Sequence, residues 1–180
     1  MSRLRLVLAG ALGALILLAA PAGASTEGNG TRAISSRTAL ERSLVVEINA
    51  RRTKRGLQPL AVSPSLALAA QNHSLDMART GYFAHESSNG NLFTERVRRF
   101  YSPAGYRSWR AGETLLWASP DVNAKRALQM WLESPEHRRI LLTPAWREIG
   151  LSAVHTMAGP RVFDSLEVTI VTADFGARVR

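Results

Sequence analysis

Leu40, Leu44, Val45 and Ile48 recur at three- and four-residue spacing, so they fall on one face of a helix. Thr38 is placed to cap that helix and Gly56 to end it. "LQPLAV" reads as a short extended link, after which Ser63-Pro64 opens a second helix, serine as N-cap and proline at the first helical position. Leu66, Ala69, Ala70, His73 and Met77 share one face of it, and Gly81 closes it. Asn91 is placed to cap a third, short helix carrying Phe93 and Val97. Ser119-Pro120 repeats the serine-proline device before Val122, Ala127, Leu128 and Trp131, and Ser134-Pro135 repeats it again before a fifth short helix.

The period then changes. "IGLSAV" and "LEVTIVTADF" are β-rich runs separated by "MAGPR", the pattern of a hairpin. Helices first and strands late predict an α+β domain rather than a doubly wound sheet. Two segments lie outside this pattern. Arg3 and Arg5, the run "LVLAGALGALILLAA", Pro21 and Ala22-Gly23-Ala24 predict a secretory signal over residues 1–24, with a retained membrane anchor as the competing reading. "STEGNGTRAISSR", residues 25–37, is polar, lacks periodicity and reads as a flexible linker, leaving 38–178 as the folded domain.

Composition narrows the function classes. There is no cysteine, which excludes a thiol nucleophile, a lipobox attachment and disulfides; a core of about 140 residues can fold without them. The formal charge of +9 falls to +7 when residues 1–24 are removed with Arg3 and Arg5. Lys54 and Lys125 are the only lysines, so the excess is arginine, and it is scattered rather than clustered. The charge fits either a solvated basic surface or attraction to anionic envelope components. Export and the lack of an aromatic-interleaved strand or zinc-finger spacing argue against a nucleic-acid partner. No second run is long enough to span a membrane, so no stable span is expected after signal removal.

Single-segment catalytic signatures are missing. The chain has no His-Glu-x-x-His, no Gly-x-Ser-x-Gly and no glycine-rich phosphate loop before a helix. Any active site is assembled from distant segments, and four histidines can be weighed for it. His73 lies on the apolar face of the second helix, where a satisfied core histidine is the default. His155 is expected on an exposed turn. His85 ends "GYFAH", held by Tyr82 and Phe83. His137 sits in the first turn of the helix that Ser134 opens, where the dipole disfavours a charged imidazole. Such a neutral ring can accept a proton or bind a metal, or it can simply be solvated beside Glu136. Glu113, in "RAGETLLWAS", is set among apolar residues and needs a partner, either an arginine or a histidine in a cleft.

In order and spacing, "LVVEINARRTKRGLQPLAVSPSLALAAQNHSLDMARTGYFAH", "AGE" and "MWLESPEHRRILLTPAWREIG" resemble the CAP superfamily. That group comprises cysteine-rich secretory proteins, antigen 5 and pathogenesis-related-one proteins; the likeness is to the compact, cysteine-free bacterial branch, also called SCP domains. It covers about residues 40–151. The resemblance implies a three-layer α-β-α sandwich with a small, mainly antiparallel central sheet, in a secreted or periplasmic protein. It also implies a cleft lined by His85, Glu113 and His137, with Ser134 where relatives carry a second acid and Glu133 next to it. Two departures stand out: Gly112-Glu113-Thr114 replaces Gly-Glu-Asn, and "VTADFG" replaces Trp-Thr-Gln before an aromatic.

Two functions follow as expectations. One is binding of a lipid, peptide or anionic cell-envelope ligand in the cleft, with or without a divalent metal. The other is metal-dependent hydrolysis in the same cleft, with His85 and His137 as ligands of Zn²⁺ or another divalent cation. In both, the candidate catalytic groups are His85, Glu113 and His137.

Overall fold

The computed structural model describes residues 33–180 apart from Ala158; the expected signal segment and residues 25–32 lie outside the described residues. Among them, strand β1 (Ile34–Ser36) leads into helix α1 (Thr38–Thr53), followed by strand β2 (Ala61–Val62) and helix α2 (Pro64–Thr80). Helix α3 (Phe93–Phe100) and strand β3 (Ser108–Ala118) come next, then helices α4 (Ala124–Glu133) and α5 (Pro135–Leu141). Strands β4 (Glu148–Thr156) and β5 (Val168–Val179) close the chain, joined by a loop containing one turn of 3-10 helix, Arg161–Phe163.

The sheet order is β1-β4-β5-β3, antiparallel throughout, with β2 pairing parallel to β4 beyond β1. The two long pairings of β5 fix the register: Glu113 on β3 and Gly150 on β4 both stand opposite Asp174. One sheet face packs against α1 and α4 through Leu44, Ile48, Trp131, Val171, Ala173 and Phe175. The other carries α2 and α3 through Met77, Leu115, Ile170, Leu66 and Val97. This is the expected α-β-α sandwich.

Local chemistry explains most boundaries. Ser63 caps α2 by accepting the Leu66 amide, and Gly81 ends the helix at φ 71°. A side chain at Gly81 is barred twice, by that left-handed backbone and by the Pro160 carbonyl oxygen 2.4 Å from where its Cβ would lie. Gly150 answers a different need. A Cβ there would lie 2.0 Å from the Ala67 nitrogen, so its absence lets the start of α2 lie directly on β4.

Four expectations change. Residues 34–36 of the expected linker form β1, because Ile34 reaches the core edge and the backbone pairs with Val154–Thr156. Thr38 is the first residue of α1 rather than its cap, and Arg37 in the cap position makes no side-chain cap bond. Leu92, not Asn91, precedes α3, and the Glu95 carboxylate accepts its amide. Ser119-Pro120 does not open α4: Asn123 caps that helix by accepting the Arg126 amide, while Asp121 is drawn to Arg37 and Thr169.

Strand β3 lies at the sheet edge, and the α4–α5 corner covers its middle. The Trp131 indole N–H, 1% exposed, donates to the Leu115 carbonyl at 3.0 Å. Arg52, fully buried near the end of α1, donates to the carbonyls of Leu141 at 2.7 Å and Thr143 at 3.1 Å, fixing the end of α5.

Candidate functional site

The site forms at the β3 edge, where the loop after α2 approaches the first turn of α5. That loop is held from beneath. The Asp76 carboxylate on α2 accepts from the Tyr82 hydroxyl at 2.6 Å, and from the Ser88 amide and hydroxyl at 2.9 and 2.7 Å. The His73 Nε2 donates to the Ala84 carbonyl at 2.9 Å. Arg96 on α3 donates to the His85 carbonyl and the Ser87 hydroxyl, each at 3.1 Å.

These contacts deliver His85 to Glu113. Its Nδ1 lies 2.8 Å from Glu113 Oε1, and Arg96 pairs with Oε2 of the same carboxylate. The Glu113 side chain is 1% exposed and that of Arg96 3%, whereas that of His85 is 48% exposed. With Nδ1 engaged by the carboxylate, Nε2 is the ring nitrogen available to a ligand. Phe93 meets the ring edge-on at 6.5 Å. Both partners foreseen for Glu113, an arginine and a histidine, are present at once.

The electrostatics separate the imidazoles. The hydrogen bond to Glu113 is the main cause that raises His85 above the ordinary histidine value, against the opposing effect of burial. Burial lowers His137, and the neighbouring charge of His85 lowers it further. His73, fully buried, is pushed by burial down to about 4 and is neutral near pH 7. Asp174, also fully buried, is raised well above the carboxylate range by burial and then by the Glu113 charge.

The other expected cleft residues divide. The Ser134 hydroxyl accepts the His137 amide at 3.4 Å, so it acts as the cap that sets the pitch of His137. Glu133 is not brought to His85. Its side chain is 56% exposed, pairs with Arg126 at 3.5 Å and accepts from Gln129 at 2.8 Å. It lines a cavity of about 520 Å³ between α1 and α4, which contains none of His85, Glu113 and His137. His155 lies within β4 rather than on an exposed turn, between Thr169 at 3.0 Å and Glu167 at 3.1 Å.

Two members went unseen in the sequence. Phe93, Arg96, Val97 and Phe100 share helical spacing, which puts Arg96 on the inward face of α3. Asp174 interrupts the apolar run "TIVTADF" in a strand covered on both faces. A charge at a core position was the available signal in both cases.

The donor set does not fit a three-ligand metal centre. Both Glu113 oxygens are engaged, one by a guanidinium, and among the described residues no three His, Cys, Asp or Glu side chains converge to hold a metal ion.

A three-layer sandwich with a histidine–glutamate pair at its sheet edge defines a class, and comparison assigns the family. Residues 45–175 match the cysteine-rich secretory protein family, CAP, and the chain belongs to it. It is 31% identical over 137 residues to the uncharacterized protein YkwD of Bacillus subtilis (strain 168), covering 76% of this chain and 51% of that protein, so it spans about half that relative's length. An extracellular protein containing an SCP domain from Bacillus anthracis str. Ames aligns over 77% of this chain and 40% of its own, with a TM-score of 0.59 and 27% identity. An outer surface protein from Borrelia burgdorferi shares the fold over 82% of this chain and 99% of its own, with a TM-score of 0.65 and 20% identity.

Proposed function

We propose that this chain is an exported CAP protein whose cleft, between His85 and His137, binds the polar group of a lipid, peptide or cell-wall ligand of the envelope. The observation that carries this reading is the His85–Glu113 bond, backed by Arg96. It holds a half-exposed imidazole in one orientation with Nε2 free, an arrangement suited to recognising a hydrogen-bonding group. The neighbouring His137 favours its neutral form and supplies a complementary acceptor. Export is supported by the leader-like start of the sequence and by relatives described as extracellular or outer-surface proteins. Among the described residues no helix is long and apolar enough to cross a membrane.

Calorimetry with two probes, a soluble muropeptide and phosphatidylglycerol vesicles, tests the reading. At least one should bind the parent protein and lose about tenfold in affinity, roughly 1.4 kcal/mol, in His85→Ala. Equal binding of both probes by parent, His85→Ala and His137→Ala, or no binding of either, defeats it.

Hydrolysis is a second reading, favoured by one observation: the two cleft imidazoles are shifted in opposite directions, His85 up and His137 down. Such a pair suits an acid and a base acting across a bond. Product formation from the muropeptide, abolished in His137→Ala with binding retained, would establish it.

A further inference from the structure

We propose that the end of the sheet where β3 begins and β5 finishes is a second binding surface, an arginine–aromatic platform for a phosphodiester-linked polymer of the envelope. Arginines that are scattered along the sequence meet there. Register sets Trp109 on β3 opposite Arg178 on β5, and the end of α3 lays Arg98 and Tyr101 over the same face. The Arg98 guanidinium lies over the Trp109 ring, 5.1 Å from its centre. The Trp109 ring is in turn 6.5 Å from the ring of Tyr101. Arg178 bridges two tyrosines, 3.8 Å from the centre of Tyr101 and 4.5 Å from that of Tyr106. Arg180 continues the series over Tyr106 at 5.8 Å, and its carbonyl accepts from Arg107 Nε at 2.9 Å.

The rings are fixed before any ligand arrives. Tyr101 is fully buried, and its carbonyl accepts the Trp109 indole N–H at 2.8 Å. Its hydroxyl donates to Glu148, the carboxylate side chain that joins the cluster. Arg178 is the anchored cation: its side chain is 19% exposed, donates to the Ser102 carbonyl at 3.3 Å and stands 3.8 Å from Glu148. Arg98, Arg107 and Arg180 are exposed, and among the described residues none of them pairs with a carboxylate side chain. A guanidinium stacked on an aromatic ring keeps its N–H edge for a partner and has less freedom to lose on binding.

That arrangement selects the partner. Guanidinium forks match phosphate oxygens, which they meet with paired hydrogen bonds. One exposed fork gains little from a single anion. A chain that repeats the phosphate engages several forks at once, and each contact after the first forms at high effective concentration. A bilayer would reward protruding apolar rings, but Tyr106 and Trp109 are half-buried and carry guanidinium groups. The same cover hinders stacking of nucleic-acid bases on those rings.

The platform is separate from the histidine cleft. Trp109 precedes Glu113 by four residues on β3, roughly 13 Å along the strand. The inference goes beyond the cleft reading and shares with it only the export of the chain. Loss of one kind of binding without the other therefore tells the two apart.

Calorimetry of the full chain with soluble poly(glycerol phosphate) tests the platform. The parent should bind at low salt and weaken steeply as salt rises. The triple variant Arg98→Gln, Arg107→Gln, Arg180→Gln should lose about tenfold in affinity, the sum of three exposed pairs of ordinary strength. Arg42, Arg55 and Arg79 are exposed elsewhere, and replacing all three by Gln removes the same charge but should change affinity by about twofold or less. His85→Ala should bind the polymer as the parent does. No binding by the parent, equal losses in the two triples, or an equal loss in His85→Ala overturns the proposal. Phosphatidylglycerol vesicles at the same phosphate concentration should bind more weakly than the polymer; membrane binding as tight, abolished by the platform triple, assigns the surface to a bilayer and also overturns it. If the glutamine triple does not fold, the corresponding Arg→Lys triple decides. It keeps the charge without the planar forks, and affinity equal to the parent's overturns the platform.

Discussion

Replacing Arg96 by Met keeps a long side chain on α3 and removes the cation that faces Glu113. Both side chains are almost completely buried, at 3% and 1% exposure, so the carboxylate left behind cannot recover its hydration. Breaking a buried ion pair by deleting one partner costs about 3–5 kcal/mol. Domains of this size have about 5–15 kcal/mol in total. With a urea slope of about 2 kcal/mol/M, a loss of ~4 kcal/mol lowers the unfolding midpoint by about 2 M. The size of the loss depends on pH. His85 titrates above its ordinary value because of Glu113, so at low pH its proton partly replaces the missing guanidinium. The deficit should therefore grow as pH rises through the His85 titration. The double variant Arg96→Met with Glu113→Gln removes the stranded charge and should recover about half of the loss. Urea unfolding monitored by tryptophan fluorescence at several pH values measures all three effects. A cost under 1 kcal/mol, or a double variant as damaged as the sum of its parts, would refute the claim that Arg96 acts by compensating Glu113.

Three other outcomes can be checked. His73 titrates at about 4 when folded against 6.5 as its ordinary value, so the unfolded chain takes up a proton the native state refuses; stability present above pH 6.5 should fall by about 3 kcal/mol on acidification to pH 4, and His73→Gln should flatten that limb in urea titrations. Gly150→Ala places a methyl 2.0 Å from the backbone nitrogen of Ala67, and since helix backbone cannot move aside as a side-chain tip can, a loss of about 3 kcal/mol or more is expected in thermal unfolding. Asp76→Asn weakens the bonds to Tyr82 and Ser88, so amide exchange should quicken in residues 84–90 and the His85 midpoint should fall towards its ordinary value, with little change in the exchange of β5.

The helices and the two late strands were legible because their apolar spacing and their caps agree, as at Ser63, Gly81 and Ser134. Strand β3 was not read as a strand. "SWRAGETLLWA" mixes charge, glycine and a continuous apolar run, and its pairing with β5 is a non-local event that no window of sequence contains. The site was legible as a set of residue types in a family order, which placed His85 and Glu113 together. Its depth was harder to read: Arg96 and Asp174 stood out only as charges at positions patterned for the core, a signal that gains its meaning once α3 and β5 are seen to bury them. The serine-proline pairs show the same limit, since Ser63 and Ser134 cap helices while Ser119 gives way to Asn123.

The hydrogen bond from Trp131 to the Leu115 carbonyl has a meaning beyond the packing of one domain. An outermost strand with open carbonyls and amides is a template on which a second copy can lay its own strand. Here an indole takes up one such carbonyl in the middle of β3, and the corner of α4 and α5 stands where an incoming strand would have to pair. In a chain without cysteine, and so without a disulfide to lock its fold, that contact occupies part of the edge on which another strand would pair, and Trp131→Phe would remove its hydrogen bond while sparing most of the ring.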